Sequence, residues 1–179
     1  MIIYKDRFTG DEMFSDVLEF QKLPEDSVLF EFNTKKVSDK TDMSQVNIGA
    51  NASAEEAAEE VEDVVTKDFE IVINHGVKLE ESKPAKGEFK AYMKRHLKKL
   101  YEELVKEVGQ EKADIFKKNA TSAAQQIIKG YGDYDLYTGE TADFNNEEEH
   151  CAVLLLNYRD DGTTPYFTGF KADFVEEKV

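Results

Sequence analysis

The apolar residues of this chain change their spacing twice, and that change restricts the fold more than any other feature of the sequence. In the first third, large apolar side chains recur at every second position over 28–32 and again over 69–73. A period of two predicts strands with one buried face. Shorter and weaker strand candidates lie at 1–5 and 17–23. The first third is therefore predicted to be mainly β-structure.

The middle of the chain has the spacing of helices. Apolar residues recur at steps of three and four between Phe89 and Val108, and Gly109 stands where a left-handed cap is favoured. A second such stripe runs over 111–129 and stops at Gly130. Because the connection between the two is so short, we predict an antiparallel helical hairpin over about 85–129.

The last third returns to strand signals. An apolar run over 151–158 and an alternating segment over 166–174 are joined by Arg159–Pro165, which is rich in turn residues. This pattern predicts a β-hairpin. Strands, a helical hairpin and strands again predict an α+β fold, in which the hairpin is inserted into a mainly antiparallel β core. We expect a single domain over 1–179.

Between the two early strands lies a stretch that cannot contribute to a core. Residues Asp39–Glu70 contain ten Asp or Glu against two Lys, a local charge of −8. A connection of this length is either functional or disordered, and its composition predicts a long flexible acidic loop over about 38–68. Ser53 and Glu56 form a capping-box pattern, so a fraying surface helix over 54–65 is the alternative.

Charge and cysteine content limit the possible partners and compartments. The net charge of −15 argues against nucleic acid, since phosphate binding needs a basic surface, and favours cations or basic protein surfaces. The single cysteine, Cys151, cannot form an internal disulfide, which indicates a reducing compartment. The first residues lack the pattern of a signal peptide, and no stretch approaches the ~20 apolar residues of a membrane span. We predict a cytoplasmic protein.

A search for catalytic motifs favours a protein without enzymatic activity. The sequence has no Gly-x-Ser-x-Gly, no His-Glu-x-x-His, no phosphate loop of the Lys-Ser/Thr type and no Cys-x-x-Cys. The three histidines are scattered, and Cys151 is predicted to be a core thiol. Gly130–Tyr134 follows a helix, so a helix cap with a turn is favoured over a phosphate cradle. We predict that no cofactor is required.

Acidic side chains over 143–149 are candidates for Ca²⁺ binding. The segment begins with the spacing of an EF-hand loop, but Glu148 occupies its sixth position, where that loop needs glycine. Two interpretations remain: weak Ca²⁺ binding by loop carboxylates, or an acidic loop that contacts only solvent. The sequence assigns no individual metal ligand.

A basic region interrupts the acidic chain. Residues Pro84–Lys99 carry six Lys or Arg against one Glu, a local charge of +5. Lys90, Lys94 and Lys98 follow Lys86 at steps of four, so they share one side of the first helix. This side is either the solvated face of an amphipathic helix or a docking surface for an acidic partner. The surrounding negative charge would make such docking more directional.

Several longer motifs resemble those of one family. The segment Ile48–Glu56 is similar to the first hallmark of the translationally controlled tumour protein family. Leu136–Glu140, followed by Cys151–Val153, is similar to the second hallmark. Asp11–Asp16 and Tyr158–Tyr166 also match. The motifs occur in the family's order along the whole chain, which makes the resemblance specific.

The resemblance implies a β-rich core similar to that of Rab-binding GTPase chaperones, a projecting helical hairpin and a mobile loop with the first hallmark. It also implies a cytosolic interaction or scaffold protein that binds calcium, tubulin, microtubules and other cytosolic proteins, promotes growth and opposes apoptosis. The alternative it implies is a guanine-nucleotide exchange regulator of a Rheb-like small GTPase. In that role an acidic side chain would displace Mg²⁺ or compete with the nucleotide phosphates.

Candidate site residues are transferred only where this sequence matches a family motif. Glu12 is the GTPase-contact candidate, because it matches the acidic position of the Asp-Glu-Met-Phe-Ser-Asp stretch. The tubulin-binding region falls on the helical hairpin, where the contact candidates are Lys90, Lys94 and Lys98. Hallmark positions to which we assign no role are Asn51, Ser53, Glu55 and Glu140.

Overall fold

The computed structural model describes residues 1–38 and 67–179. In this part the strands are β1 (Ile2–Asp6), β2 (Glu12–Ser15), β3 (Leu29–Asn33), β4 (Lys36–Ser38), β5 (Lys67–Phe69), β6 (Lys78–Leu79), β7 (Asp135–Thr138), β8 (Val153–Tyr158), β9 (Pro165–Phe170) and β10 (Phe174–Lys178). The helices are α1 (Glu70–His75), α2 (Lys86–Val108) and α3 (Gln110–Lys129), with 3₁₀ turns at Tyr131–Asp133 and Lys171–Asp173.

The strands of the described residues form three antiparallel sheets. Their orders are β3-β9-β8-β7-β6, β10-β1-β2 and β4-β5. The helical hairpin α2-α3 is inserted between β6 and β7, which confirms the predicted α+β fold with a mainly antiparallel core. The likeness to GTPase chaperones and the assignment of 1–179 to one domain stay predictions. The structure describes only the two ends of the predicted acidic loop over about 38–68. The alternative helix over 54–65 lies outside the described residues.

Strand β8 explains why the apolar run over 151–158 does not alternate. Leu154 and Leu156 join one hydrophobic cluster, whereas Val153 and Leu155 join another. Because neighbouring side chains of a strand point to opposite faces, β8 is buried on both sides. The first cluster is an aromatic core to which β2 and β3 also contribute, and the helical hairpin covers the second.

Gly109 alone separates α2 from α3. Its φ of 90° is positive, but its ψ is 164°, so the expected left-handed cap is wrong and the backbone is extended at this point. Glycine adopts this region because it has no Cβ. The hairpin predicted over about 85–129 is observed over Lys86–Lys129. None of the described helices combines the length and the apolar content of a membrane span.

Two buried polar contacts join α2 to the sheets beneath it. The Tyr92 hydroxyl donates a 2.6 Å hydrogen bond to the backbone carbonyl of Cys151, just before β8. His96 Nε2 contacts the carboxylate of Asp173, which lies in the 3₁₀ turn between β9 and β10, and both side chains are fully buried. Removing either His96 or Asp173 would leave the other side chain without its buried partner, which lowers the stability of the fold.

The predicted strand over 69–73 is wrong beyond its first residue. β5 ends at Phe69, and α1 follows directly. Ile71 and Val72 both pack against the aromatic core, which adjacent residues of a strand with one buried face cannot do. Gly76 ends α1 in the left-handed region, with φ 75° and ψ 14°, and its N–H bonds the carbonyls of the first turn. Over so few residues, alternation does not distinguish a strand from a short helix.

The predicted strand over 166–174 is also corrected. β9 ends before the 3₁₀ turn at Lys171–Asp173, and β10 then pairs with β1 in a different sheet. The weak candidate over 17–23 forms only an isolated bridge between Phe20 and Phe32. The first strand and the β-hairpin of β8 and β9 are confirmed.

Two candidate interaction sites

The described candidate residues fall into two regions. The acidic corner comprises Asp11, Glu12, His75 and Glu140. The hairpin groove runs between α2 and α3; its edges carry Lys90, Lys94, Lys98 and Lys117, and its floor includes Leu97, Phe116 and Ile128. The hallmark positions Asn51, Ser53 and Glu55 lie outside the described residues.

Glu12 opens β2 and presents a half-exposed carboxylate at the acidic corner. Its Oε2 lies 3.7 Å from Nδ1 of His75, the last residue of α1, and this distance is too long for a hydrogen bond. His75 Nδ1 is buried and has no hydrogen-bond partner among the described residues. Burial lowers the pKa of His75, while the nearby Glu12 carboxylate opposes that shift. No described donor therefore fixes the Glu12 carboxylate.

Asp11 is held firmly, although the sequence did not single it out. Its carboxylate accepts hydrogen bonds from the Thr9 hydroxyl at 2.9 Å, the Thr141 N–H at 3.0 Å and the Thr141 hydroxyl at 2.9 Å. A Cβ added at Gly139 would lie 2.6 Å from Asp11 Oδ2, so this contact requires glycine. The available signal was that Asp11 and Gly139 each belong to a family motif, but sequence alone does not show that these motifs touch.

Glu140 completes the corner from the end of β7. It is exposed, and a Cβ added at Gly76 would lie 3.3 Å from its Oε2. The start of β2, the turn after β7 and the end of α1 therefore meet at one place. Lys5 pairs with Glu12 across β1 and β2, but it also forms a salt bridge with Glu177. The three carboxylates therefore still form an acidic surface, which suits a basic protein surface or a cation carried by a partner.

The predicted lysine row lies along one edge of the hairpin groove. Lys90, Lys94 and Lys98 are all exposed on α2. Among the described residues, none of the three forms a salt bridge. Lys117 of α3 lines the same groove, with its ammonium group 5.1 Å from the centre of the Tyr101 ring. The groove therefore has cations on both helices.

The floor of the hairpin groove is apolar. Leu97, Phe116 and Ile128 pack against the hydrophobic cluster under the hairpin but remain partly exposed. The groove encloses about 730 Å³. The sequence pattern placed these residues on the apolar stripes of the two helices. It could not show that their outer surfaces stay uncovered, because a stripe does not reveal how many elements pack on it.

In the candidate calcium loop over 143–149, side-chain oxygens form hydrogen bonds with backbone N–H groups of the same loop. Asp143 Oδ1 accepts a hydrogen bond from the Asn145 N–H at 3.2 Å, and Asn146 Oδ1 accepts one from the Glu148 N–H at 3.0 Å. Within 1–38 and 67–179, no group of three or more His, Cys, Asp or Glu side chains is arranged to hold a metal ion. Calcium binding stays a prediction.

Cys151 is a buried thiol, as predicted for a core residue. Burial raises the pKa of this thiol far above its usual range, and the carboxylates of Asp6 and Asp173 raise it further. Because the thiolate is the nucleophilic form, these surroundings oppose covalent catalysis at Cys151.

Comparison with known proteins gives a consistent result. The model of the family described as translationally controlled tumour protein matches residues 1–174. The translationally-controlled tumor protein homologs of Branchiostoma belcheri and Schizosaccharomyces pombe are 36% and 34% identical over 178 residues, with 99% of each chain covered. Neither name describes an enzymatic activity.

Two solved structures share the fold. The translationally controlled tumor-associated protein of Schizosaccharomyces pombe superimposes with a TM-score of 0.75 at 33% identity, covering 100% of both chains. The protein of Caenorhabditis elegans gives a TM-score of 0.67 at 30% identity, covering 100% of this chain and 99% of its own. Motifs, family model, full-length relatives and fold all agree, and the chain belongs to the translationally controlled tumour protein family.

Proposed function

We propose that this chain is a non-enzymatic interaction protein that docks on acidic protein surfaces through the lysine row of α2, and that tubulin in microtubules is one such partner. The observation that supports this most is the exposure of Lys90, Lys94 and Lys98 on one side of a helix, without a salt bridge among the described residues. In a chain of net charge −15, this row attracts an acidic surface while the rest of the protein repels it, which orients the approach.

The test is co-sedimentation with microtubules. Replacing Lys90, Lys94 and Lys98 by Glu should abolish binding, because the row then repels the acidic surface. A matched control replaces three exposed lysines of α3 that lie outside the groove, namely Lys112, Lys118 and Lys129. The control changes the net charge by the same amount and should still co-sediment.

Circular dichroism verifies that both triple variants keep their helices. If the Lys90, Lys94 and Lys98 variant binds as well as the wild type at low salt, the row is only a solvated surface. If both variants lose binding equally, net charge and not this row determines the interaction.

A second candidate function is regulation of nucleotide exchange on a Rheb-like small GTPase, with Glu12 as the contact residue. The specific observation in its favour is that the Glu12 carboxylate is half exposed and that no described donor holds it. A carboxylate of this kind is able to approach the Mg²⁺ or the phosphate-binding lysine of a partner, which would weaken nucleotide binding.

The test is release of labelled nucleotide from a purified Rheb-like GTPase. Stoichiometric wild-type protein should accelerate release, and Glu12→Ala should remove the acceleration. Glu25→Ala is the control, because Glu25 is also an exposed carboxylate but lies outside the acidic corner. If the wild type does not accelerate nucleotide release, this candidate function is eliminated.

Three further properties are proposed on family membership alone: weak calcium binding, support of growth and survival, and residence in the cytoplasm.

A further inference from the structure

The hairpin groove has the length of a short helix. Its lining extends from Lys90 to Glu102 on α2 and from Phe116 to Ile128 on α3. Each edge spans about 18 Å at a rise of about 1.5 Å per residue, a little more than three helical turns. An open groove of this length fits a rod-like ligand better than a compact one.

The floor of the groove consists of two ridges of side chains that repeat every four residues. The ridge on α3 consists of Phe116, Ala120, Ala124 and Ile128, and the ridge on α2 consists of Met93, Leu97 and Tyr101. Ridges at this spacing are the elements that interdigitate when helices pack on one another. Met93, Ala120 and Ala124 are already buried, so another helix would cover the partly exposed ridge residues, namely Leu97, Tyr101, Phe116 and Ile128.

The edges of the groove carry positive charge and hydrogen-bond donors. Lys90, Lys94 and Lys98 follow the outer side of the α2 ridge. Lys117 and Gln125 follow the outer side of the α3 ridge, again with side chains that donate hydrogen bonds. Glu102 is the one carboxylate in this lining and follows Lys98 at the end of the α2 edge. A ligand that buries its apolar side on the floor therefore meets cations or donors along most of both flanks, and carboxylates complement them best.

We propose that the hairpin groove binds one amphipathic α-helix of a partner protein, about three turns long, with an apolar stripe on the floor and Asp or Glu on both flanks. This inference rests on the docking function proposed above, and it names the element that the acidic partner presents. The partner helix would become the third helix of a small bundle. Burial of its stripe supplies most of the affinity, and its carboxylates set orientation and specificity.

Two other occupants fit less well. A second copy of this chain, packed by a two-fold axis, would place the lysine-bearing edges of one groove against those of the other. Nucleic acid would meet an apolar floor in a chain of net charge −15, and that charge opposes phosphate binding.

The experiment uses the full-length chain and two fluorescent synthetic peptides of about 16 residues. The probe peptide has Leu on one helical face with Glu on both flanks. The control peptide has the same composition, but its Leu residues are spread around the helix. By fluorescence anisotropy, the probe should bind at least about tenfold more tightly than the control, because only the probe can bury a continuous stripe.

Variants of the chain assign the binding to the groove. Leu97→Ser should weaken probe binding about tenfold, because it removes the centre of the α2 ridge. Lys94→Gln combined with Lys98→Gln should weaken it a few-fold at low salt and less at high salt. Lys118→Gln, which replaces an exposed lysine of α3 outside the groove, should change nothing. Amide chemical-shift mapping on the wild type should show the probe on α2 and α3.

Several results would overturn the inference. Equal affinity for the two peptides would mean that only charge is recognised. Unchanged probe affinity in a Leu97→Ser variant that is folded by circular dichroism would exclude the groove, as would shifts confined to the sheets. Ultracentrifugation is the test for a second copy. A dimer that dissociates in Leu97→Ser and when the probe peptide is added would assign the groove to a second copy of this chain. If the wild type binds the probe peptide selectively but does not co-sediment with microtubules, the groove still binds an acidic helix, and tubulin is not its partner.

Discussion

The acidic corner and the hairpin groove differ in charge, and they differ as much in what holds their residues in place. In the corner, Asp11 accepts three hydrogen bonds and lies against Gly139 at a distance that leaves no space for a Cβ. In the groove, Lys90, Lys94 and Lys98 make no salt bridge among the described residues. Their positions come only from α2, whose opposite side packs on β8.

This difference determines how a mutation in each region can be interpreted. A change in the corner alters both the fold and any partner surface, so loss of binding has two possible causes. A change in the lysine row leaves the packing of α2 intact, so loss of binding reports the surface directly. Within the corner, Glu12 and Glu140 resemble the lysines, because no described residue donates a hydrogen bond to either carboxylate.

The largest expected effect concerns the anchor of the hairpin. Asp173→Ala removes the partner of His96 and should destabilise the protein by about 3–5 kcal/mol, because it leaves a buried polar side chain unpaired. The measurement is the free energy of unfolding in urea. Asp133→Ala, at an exposed position of the 3₁₀ turn after α3, is the control and should change it by less than about 0.5 kcal/mol. A loss below about 1 kcal/mol for Asp173→Ala would mean that apolar packing alone anchors the hairpin.

The next effect tests whether the acidic corner is rigid. Gly139→Ala places a methyl group 2.6 Å from Asp11 Oδ2 and should cost about 1–3 kcal/mol in unfolding free energy, because Asp11 must shift away from its donors. Gly132→Ala is the matched control, since a Cβ there meets nothing within 4 Å. Equal stability of the two variants would show that the corner adapts easily, and the contrast with the groove would disappear.

A smaller effect separates two neighbouring carboxylates. Asp11→Ala should lower the unfolding free energy by about 1–2 kcal/mol, because it leaves the donors on Thr9 and Thr141 without their acceptor. Glu12→Ala should change it by less than about 0.5 kcal/mol. Urea unfolding of both variants checks this order. If Glu12→Ala is the more destabilising, its carboxylate has a structural role, and any loss of GTPase regulation in that variant would need another explanation.

Sequence patterns predicted the elements that have a long and regular signal. The two stripes over 85–129 are long enough to define a helical hairpin, and turn residues at 159–165 are specific enough to define a β-hairpin. Short segments failed where tertiary contacts decide the structure. Ile71 and Val72 both reach the aromatic core because α1 turns them inward, and a period of two could not anticipate that.

The candidate sites divide in the same way. The lysine row was predictable because steps of four place residues on one side of a helix. The contact between Asp11 and Gly139 was not, because it depends on two sheets bringing distant motifs together. The uncovered floor of the groove was not predictable either, since Leu97 has the same apolar character as residues that the core covers completely.

The smallest expected effect is the pH dependence that arises at the acidic corner. Burial lowers the pKa of His75 in the folded protein below its ordinary value of 6.5, so the fold favours the neutral imidazole. The stability that depends on a neutral His75 is fully present above pH 6.5 and is lost as the pH falls through the lowered pKa. Unfolding free energies measured between about pH 7.5 and 5 should therefore fall less steeply for His75→Gln than for the wild type.

Glu12→Gln should act in the opposite direction, because it removes the carboxylate that opposes the shift of the His75 pKa. The dependence on pH should then become steeper than in the wild type. His150, whose pKa burial also lowers, is unchanged in all three proteins and contributes equally to each curve. Parallel curves for the wild type and His75→Gln would mean that the imidazole is not confined by the fold. In that case Glu12 and His75 would form a solvated surface, and the corner would resemble the hairpin groove more closely than Asp11 indicates.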